Sequence, residues 1–131
     1  MFKFSKKSEL QLTTVHPDLA RVCERALQLS PIDFMILQGR RTQQEQEKNV
    51  AAGMSQTMRS RHLTGHAIDF GAYVNGAYVN GDTPAEYEYY IKIAAAFKKA
   101  SDELKIPIVW GGSWKSLKDG GHIELDRKSY P

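Results

Sequence analysis

Ser60-Arg61-His62-Leu63-Thr64-Gly65-His66-Ala67-Ile68-Asp69-Phe70 is the stretch on which the reading of this chain turns. It sets His62 and Asp69 seven residues apart across a glycine, and its second half has the pattern of a strand. Side chains of a strand alternate between faces, so Ile68 and Phe70 point to a core and Asp69 points away from it. Near the end of the chain, Asp119-Gly120-Gly121-His122-Ile123-Glu124-Leu125 repeats the arrangement, with Ile123 and Leu125 inward and His122 and Glu124 on the opposite side. If the two strands lie close together, His62, Asp69 and His122 meet around one metal ion. A catalytic zinc ion takes three nitrogen or oxygen ligands and keeps one position for water, whose pKa it lowers. A zinc hydrolase is therefore the leading expectation. Its proton acceptor is expected at Asp119, three residues before His122 across a flexible glycine pair, with Glu124 as the second choice. His62 and His66 have the spacing of a helical zinc pair, but Gly65 and the strand-like sequence after it argue against a helix. His66 is accordingly placed in the pocket wall.

Working outward, residues 33–38 form a short apolar run that reads as a buried strand. Thr42 and Glu45 make a capping box opening a polar helix to about Ala52, which Gly53 ends. Before the strand, Val15, Leu19, Val22, Cys23, Ala26 and Leu27 recur at helical spacing between Pro17 and Pro31. Cys23 lies on that apolar stripe and is read as a packing cysteine, against a rival reading as the nucleophile of a cysteine peptidase. Residues 54–61 carry no period and read as a mobile loop. Asn75-Gly76, inside a tandem Gly-Ala-Tyr-Val-Asn repeat, signals a hairpin. Thr83 and Glu86 make a capping box, with Pro84 at the first helical position, that starts a helix whose buried face is traced by Tyr87, Tyr90, Ile91, Ala94, Phe97, Ser101 and Leu104. Residues 106–110 read as another strand. Helices and strands are mixed without a βαβ rhythm, which gives an α+β domain with a mostly antiparallel sheet flanked by helices.

At 131 residues the chain is expected to be a single catalytic domain with no separate binding module. A net charge of +3 favours anionic partners only mildly, and the lysines of the long helix read as a solvated face, so no nucleic-acid partner is expected. One cysteine excludes an internal disulfide and fits synthesis in a reducing compartment. No apolar run is long enough to cross a bilayer, and the basic start has no apolar segment behind it, so neither membrane insertion nor a secretory signal is expected. Nothing suggests a coiled coil, and a monomer is expected.

Four blocks, Gln38-Gly39-Arg40-Arg41-Thr42, Ser60-x-His62-x-x-Gly65-x-Ala67-x-Asp69, Trp110-Gly111-Gly112-x-Trp114 and Asp119-Gly120-Gly121-His122-x-Glu124-Leu125, are similar to those of phage endolysins. The sequence resembles the endolysins that act as L-alanyl-D-glutamate peptidases, within the wider group of zinc D-alanyl-D-alanine carboxypeptidases and dipeptidases. The resemblance implies that group's hedgehog-like fold with zinc on the sheet, ligation by His62, Asp69 and His122, and Asp119 as general base. It also implies that Arg41, with Arg40 as rival, contacts the substrate carbonyl or carboxylate, and that Ser60, His66, Trp114 and Glu124 line the substrate pocket. The implied substrate is bacterial peptidoglycan. The implied enzyme waits in the host cytoplasm until the membrane is permeabilised. Three rivals stand beside it: a D,D-carboxypeptidase releasing D-alanine, a zinc-braced binding module, and the Cys23 peptidase. Ser113 departs from the pattern, since relatives often carry aspartate there.

Overall fold

The computed structural model describes residues 2–53, 60–113 and 119–131. Along the chain run helices α1 (Lys6–Leu12) and α2 (Pro17–Leu29), strand β1 (Asp33–Gln38), helix α3 (Gln43–Ala51), strands β2 (Ala67–Val74) and β3 (Ala77–Val79), the long helix α4 (Pro84–Leu104), and strands β4 (Ile108–Trp110) and β5 (His122–Leu125). The sheet runs β1-β2-β5-β4, β3 pairs with the far half of β2, and every pairing is antiparallel. The architecture is α+β, as the mixed pattern predicts.

The alternation in β2 sorts the layers. Ile68, Phe70 and Ala72 are buried with Phe34, Ile36, Ile123 and Leu125 from the neighbouring strands. Onto them pack Leu19, Val22, Cys23 and Ala26 of α2 and Tyr90, Ile93, Phe97 and Ala100 of α4. Asp69, on the other side of β2, is left for the face without this core. Phe70 stacks on Phe97 and Tyr90 with ring centroids 5.3 and 5.5 Å apart, so the strand beneath the site is fixed by aromatic packing. No helix among the described residues is long and apolar enough to cross a membrane.

Most element starts follow from their caps. His16 accepts the Asp18 N–H ahead of α2, Thr42 and Glu45 exchange both capping-box bonds, and Asn75 and Gly76 (φ 54° and 79°) make a left-handed two-residue hairpin turn. Five readings are corrected. Helix α1 is absent from the sequence reading, because it buries only Ser8 and Leu12 and shows no apolar stripe. Residues Arg61–Thr64 form a 3-10 turn, where only a loop leading into a strand is expected. At α4, Thr83 caps the Glu86 N–H, but the Glu86 carboxylate accepts from Gly81 N rather than completing the box. Ile91 is exposed and Ile93 buried, because at 100° per residue Ile91 lies about 120° around the helix from Phe97. Strand β4 begins at Ile108, since Pro107 has no N–H to give a ladder.

Tyr90 joins the hairpin to the core. Its hydroxyl donates to Val79 O at 2.6 Å and accepts from Ala72 N at 3.2 Å. Tyr90→Phe is expected to cost about 1–2 kcal/mol in urea unfolding. Burial raises the phenol from 10.0 to about 12, so its contribution holds below pH 10 and is lost as pH rises through 12. The gap between wild type and Tyr90→Phe should therefore close in that window; a gap constant with pH would deny the hydroxyl this role.

Candidate metal centre

Asp69 and His122 are direct partners across the β2–β5 ladder, and residues opposite one another in an antiparallel pair share a face. His62 arrives from the 3-10 turn Arg61–Thr64, whose first N–H groups need a cap: Ser60 Oγ accepts from His62 N at 3.2 Å. Gly65, at φ 74°, ends the turn in the left-handed region and sends the chain into β2. The result is a group in which one donor atom from each of His62, Asp69 and His122 lies within 4.8 Å of the other two. Asp69 Oδ1 is 3.3 Å from His62 Nε2 and 3.5 Å from His122 Nδ1.

Each ring is fixed from behind. His62 Nδ1 is 2.9 Å from the Gly39 carbonyl, which can only accept, so Nδ1 carries the hydrogen and Nε2 presents a lone pair to the cluster. His122 Nε2 is 2.9 Å from Glu124 Oε1, and the same logic leaves Nδ1 facing Asp69. Backing of a metal-ligating histidine by a carboxylate or carbonyl sets its tautomer and raises its basicity. Burial alone would raise the pKa of Asp69, but the neighbouring imidazoles of His122 and His62 hold it well below the usual carboxylate range. Burial would lower His122, but Asp69 and Glu124 outweigh it and raise its pKa to about 9. The protonated ring thus faces one carboxylate from each nitrogen, and a divalent cation entering the cluster must expel the Nδ1 proton. Two imidazole nitrogens and one carboxylate oxygen, pre-oriented and close together, fit a metal ion that keeps a position open.

Arg41 is buried at 8% exposure and its Nη2 lies 3.5 Å from Asp69 Oδ2. Gln38 Oε1 accepts from its Nε and Nη2 at 3.2 and 3.0 Å, and Gln46 Oε1 accepts from its Nη1. Gln38 reaches this face because β1 slips register between Ile36 and Gln38, which pairs Gln38 with Asp69 instead of a core residue. Arg40, the rival, is exposed.

Asp119 is set at the end of the turn into β5. Trp110 Nε1 donates to Gly120 O at 2.8 Å, Asp119 Oδ1 accepts from Gly121 N at 3.3 Å, and Asp119 N donates to Gly111 O at 3.1 Å. A Cβ on Gly111 would stand 2.4 Å from Asp119 O and 2.9 Å from His122 Cβ, so only glycine lets the two segments approach this closely. The loss of solvation there, and then the Asp69 charge, raise the Asp119 pKa.

The remaining candidates fall elsewhere. Glu124 is buried behind His122, 3.5 Å from Arg127 and 4.0 Å from Arg61, on the ring's far side from Asp69. Its geometry is that of an orienting group rather than a pocket wall or proton acceptor. Ser60 caps the turn that bears His62. His66 leaves the cluster: its Nδ1 is 2.6 Å from Thr64 Oγ1 and its ring lies beside His16. Trp114 falls outside the described residues. Ser113 Oγ donates to Trp110 O. Cys23 is fully buried and burial pushes its thiol far up, which removes it as a nucleophile. Gln38, Gln46 and the Gly39 carbonyl are missed by the sequence reading, which treats polar side chains in a polar helix as solvated; Gln46 is 0% exposed.

Comparisons with known proteins point one way. The chain is 41% identical to the L-alanyl-D-glutamate peptidase of Escherichia phage T5 over 95% of its own length and 98% of that protein's. It is 33% identical to the L-alanyl-D-glutamate peptidase of Listeria phage A118 over 76% of this chain and 32% of that longer one. Among solved structures, the L-Ala D-Glu endopeptidase ChiX of Serratia marcescens superposes with a TM-score of 0.90 at 45% identity, covering 99% of this chain and 94% of ChiX. The D,D-dipeptidase VanXYg, at 18% identity and a TM-score of 0.50 over 85% of this chain and 50% of its own, shares the fold. The family model described as phage L-alanyl-D-glutamate peptidase matches residues 1–130, and with the relatives above it establishes that the chain belongs to that family.

Proposed function

We propose that the protein is a zinc endopeptidase that hydrolyses the bond between L-alanine and D-glutamate in the stem peptide of peptidoglycan. The observation that carries the proposal is the convergence of His62, Asp69 and His122, each ring braced from behind, in a chain of this family. Zinc held by the three supplies a Lewis acid that acidifies water and polarises a carbonyl. Asp119, its pKa raised by partial desolvation and the neighbouring Asp69 charge, takes the proton of the attacking water and passes it to the leaving D-glutamate amine. Arg41, its guanidinium locked by Gln38 and Gln46, steadies Asp69 and offers its remaining N–H to the oxygen on which negative charge develops. Glu124 holds His122 in the ligating tautomer. The domain acts as a monomer, and reaches the wall once the host membrane is permeabilised.

Digestion of purified cell wall followed by mass spectrometry tests both metal and bond. New D-glutamate amino termini are expected, abolished by excess chelator and restored by added zinc. Cleavage indifferent to chelator would sink the metal assignment, and D-alanine as the sole product would favour the carboxypeptidase reading instead.

A further inference from the structure

A groove of about 480 Å³ is lined by Thr14, Arg40, Arg41, Thr42, Gln43 and Leu63, and Arg41, whose Nη2 lies 3.5 Å from Asp69 Oδ2, links it to the metal cluster. It carries two arginines and no acidic side chain, so it is built for a negative group. The two arginines are differently disposed. Of the five N–H donors of a guanidinium, Arg41 commits four, two to Gln38, one to Gln46 and one to Asp69. One N–H is left, enough for a single oxygen but not for the two-pronged grip that binds a carboxylate. Arg40 is exposed and anchored only at its base: its backbone N–H donates to Thr14 Oγ1 at 2.9 Å and its Nε to Leu63 O at 3.3 Å. Among the described residues neither Nη nitrogen of Arg40 has a protein acceptor, so four N–H donors remain at a groove whose inner end is Arg41.

The chemistry of the cleaved bond supplies the anion. Glutamate has two carboxyl groups. One continues the stem, and the other remains a carboxylate unless it is amidated. When the γ-carboxyl continues the chain, the free α-carboxylate hangs from the carbon that bears the scissile nitrogen, next to the cluster. From this we infer that Arg40 is a specificity-determining residue that grips the free carboxylate of the substrate's D-glutamate, so that the enzyme distinguishes carboxylate stems from carboxamide stems. This rests on the endopeptidase reading of the same site. It also divides the work between adjacent residues, Arg41 serving the carbonyl oxygen and Arg40 the carboxylate.

The test uses the zinc-loaded full chain and two synthetic peptides, N-acetyl-L-alanyl-γ-D-glutamyl-L-lysine and the same peptide with the α-carboxyl as its amide. Wild type is expected to prefer the carboxylate peptide by about 10-fold or more in kcat/KM, the scale of a charged hydrogen-bonded contact. Arg40→Gln should raise KM for that peptide and bring the ratio of the two specificities towards one. Arg40→Lys, which keeps the charge and loses the fork, should give an intermediate ratio that falls with added salt. A wild-type ratio near one, or Arg40→Gln keeping the wild-type ratio, overturns the inference, as does a parallel loss of kcat on both peptides. Cleavage of neither peptide by wild type would overturn the endopeptidase reading itself, whereas cleavage of both without preference would remove only the role of Arg40.

Discussion

Asp119→Asn is expected to bind zinc as wild type does while losing about 10²–10⁴-fold in kcat on wall peptides, the range associated with a positioned general base. The substitution isolates proton transfer from architecture. Asparagine has the same shape, and its side-chain oxygen can still accept from Gly121 N, so the turn held by Trp110 and Gly111 should keep its course. None of the three cluster residues is touched. Metal content by elemental analysis and turnover by peptide assay separate the two quantities. Excess zinc should not rescue the variant. Turnover within a few-fold of wild type would remove Asp119 from the chemistry and reopen the identity of the proton acceptor.

Glu124→Gln should show the opposite profile: zinc affinity about 10–100-fold weaker, the usual consequence of losing the group behind a metal-bound histidine, with turnover recovering as zinc is raised. Glutamine can still face His122 Nε2, but it no longer offers a full negative charge to strengthen that hydrogen bond. It also withdraws the charge that buried Arg61 meets at 4.0 Å. Competition against a fluorescent chelator gives the affinity directly. An unchanged affinity would reduce Glu124 to packing. Together the two variants separate a carboxylate that moves a proton from one that holds a ring.

Much of this site is legible in the sequence where a short period governs the chain. The alternation through Ile68, Asp69 and Phe70 and through His122, Ile123 and Glu124 gives both strands, and hence the shared face, because period-two patterns need no tertiary knowledge. What escapes is set by partners distant in sequence. Phe34, Ile36 and Gln38 alternate evenly, so a local reading sends Gln38 into the core; the register slip against β2 turns it towards Asp69. Gln46 sits in a polar helix, and the guanidinium folded against it comes from outside that helix. The choice between Arg40 and Arg41 is likewise made from outside, by the bond from Arg41 N to His62 O. His66 shows the converse: its spacing from His62 suggests a shared ligand role, and the left-handed Gly65 between them turns it away.

Strand β1 is one outer strand of the sheet, and α1 with Thr14 just beyond it closes its rim with side chains rather than with another strand. Ser8 Oγ accepts from Ile36 N, Gln11 Oε1 from Gly39 N, and Thr14 Oγ1 from Arg40 N. An open rim of that kind is a template for pairing with a second chain. This segment therefore acts as a guard against self-association, and its contacts to Gly39 and Arg40 tether the loop that carries both arginines. Trimming this segment to make a smaller lytic agent would expose a sticky border and loosen the guanidinium pair in one step.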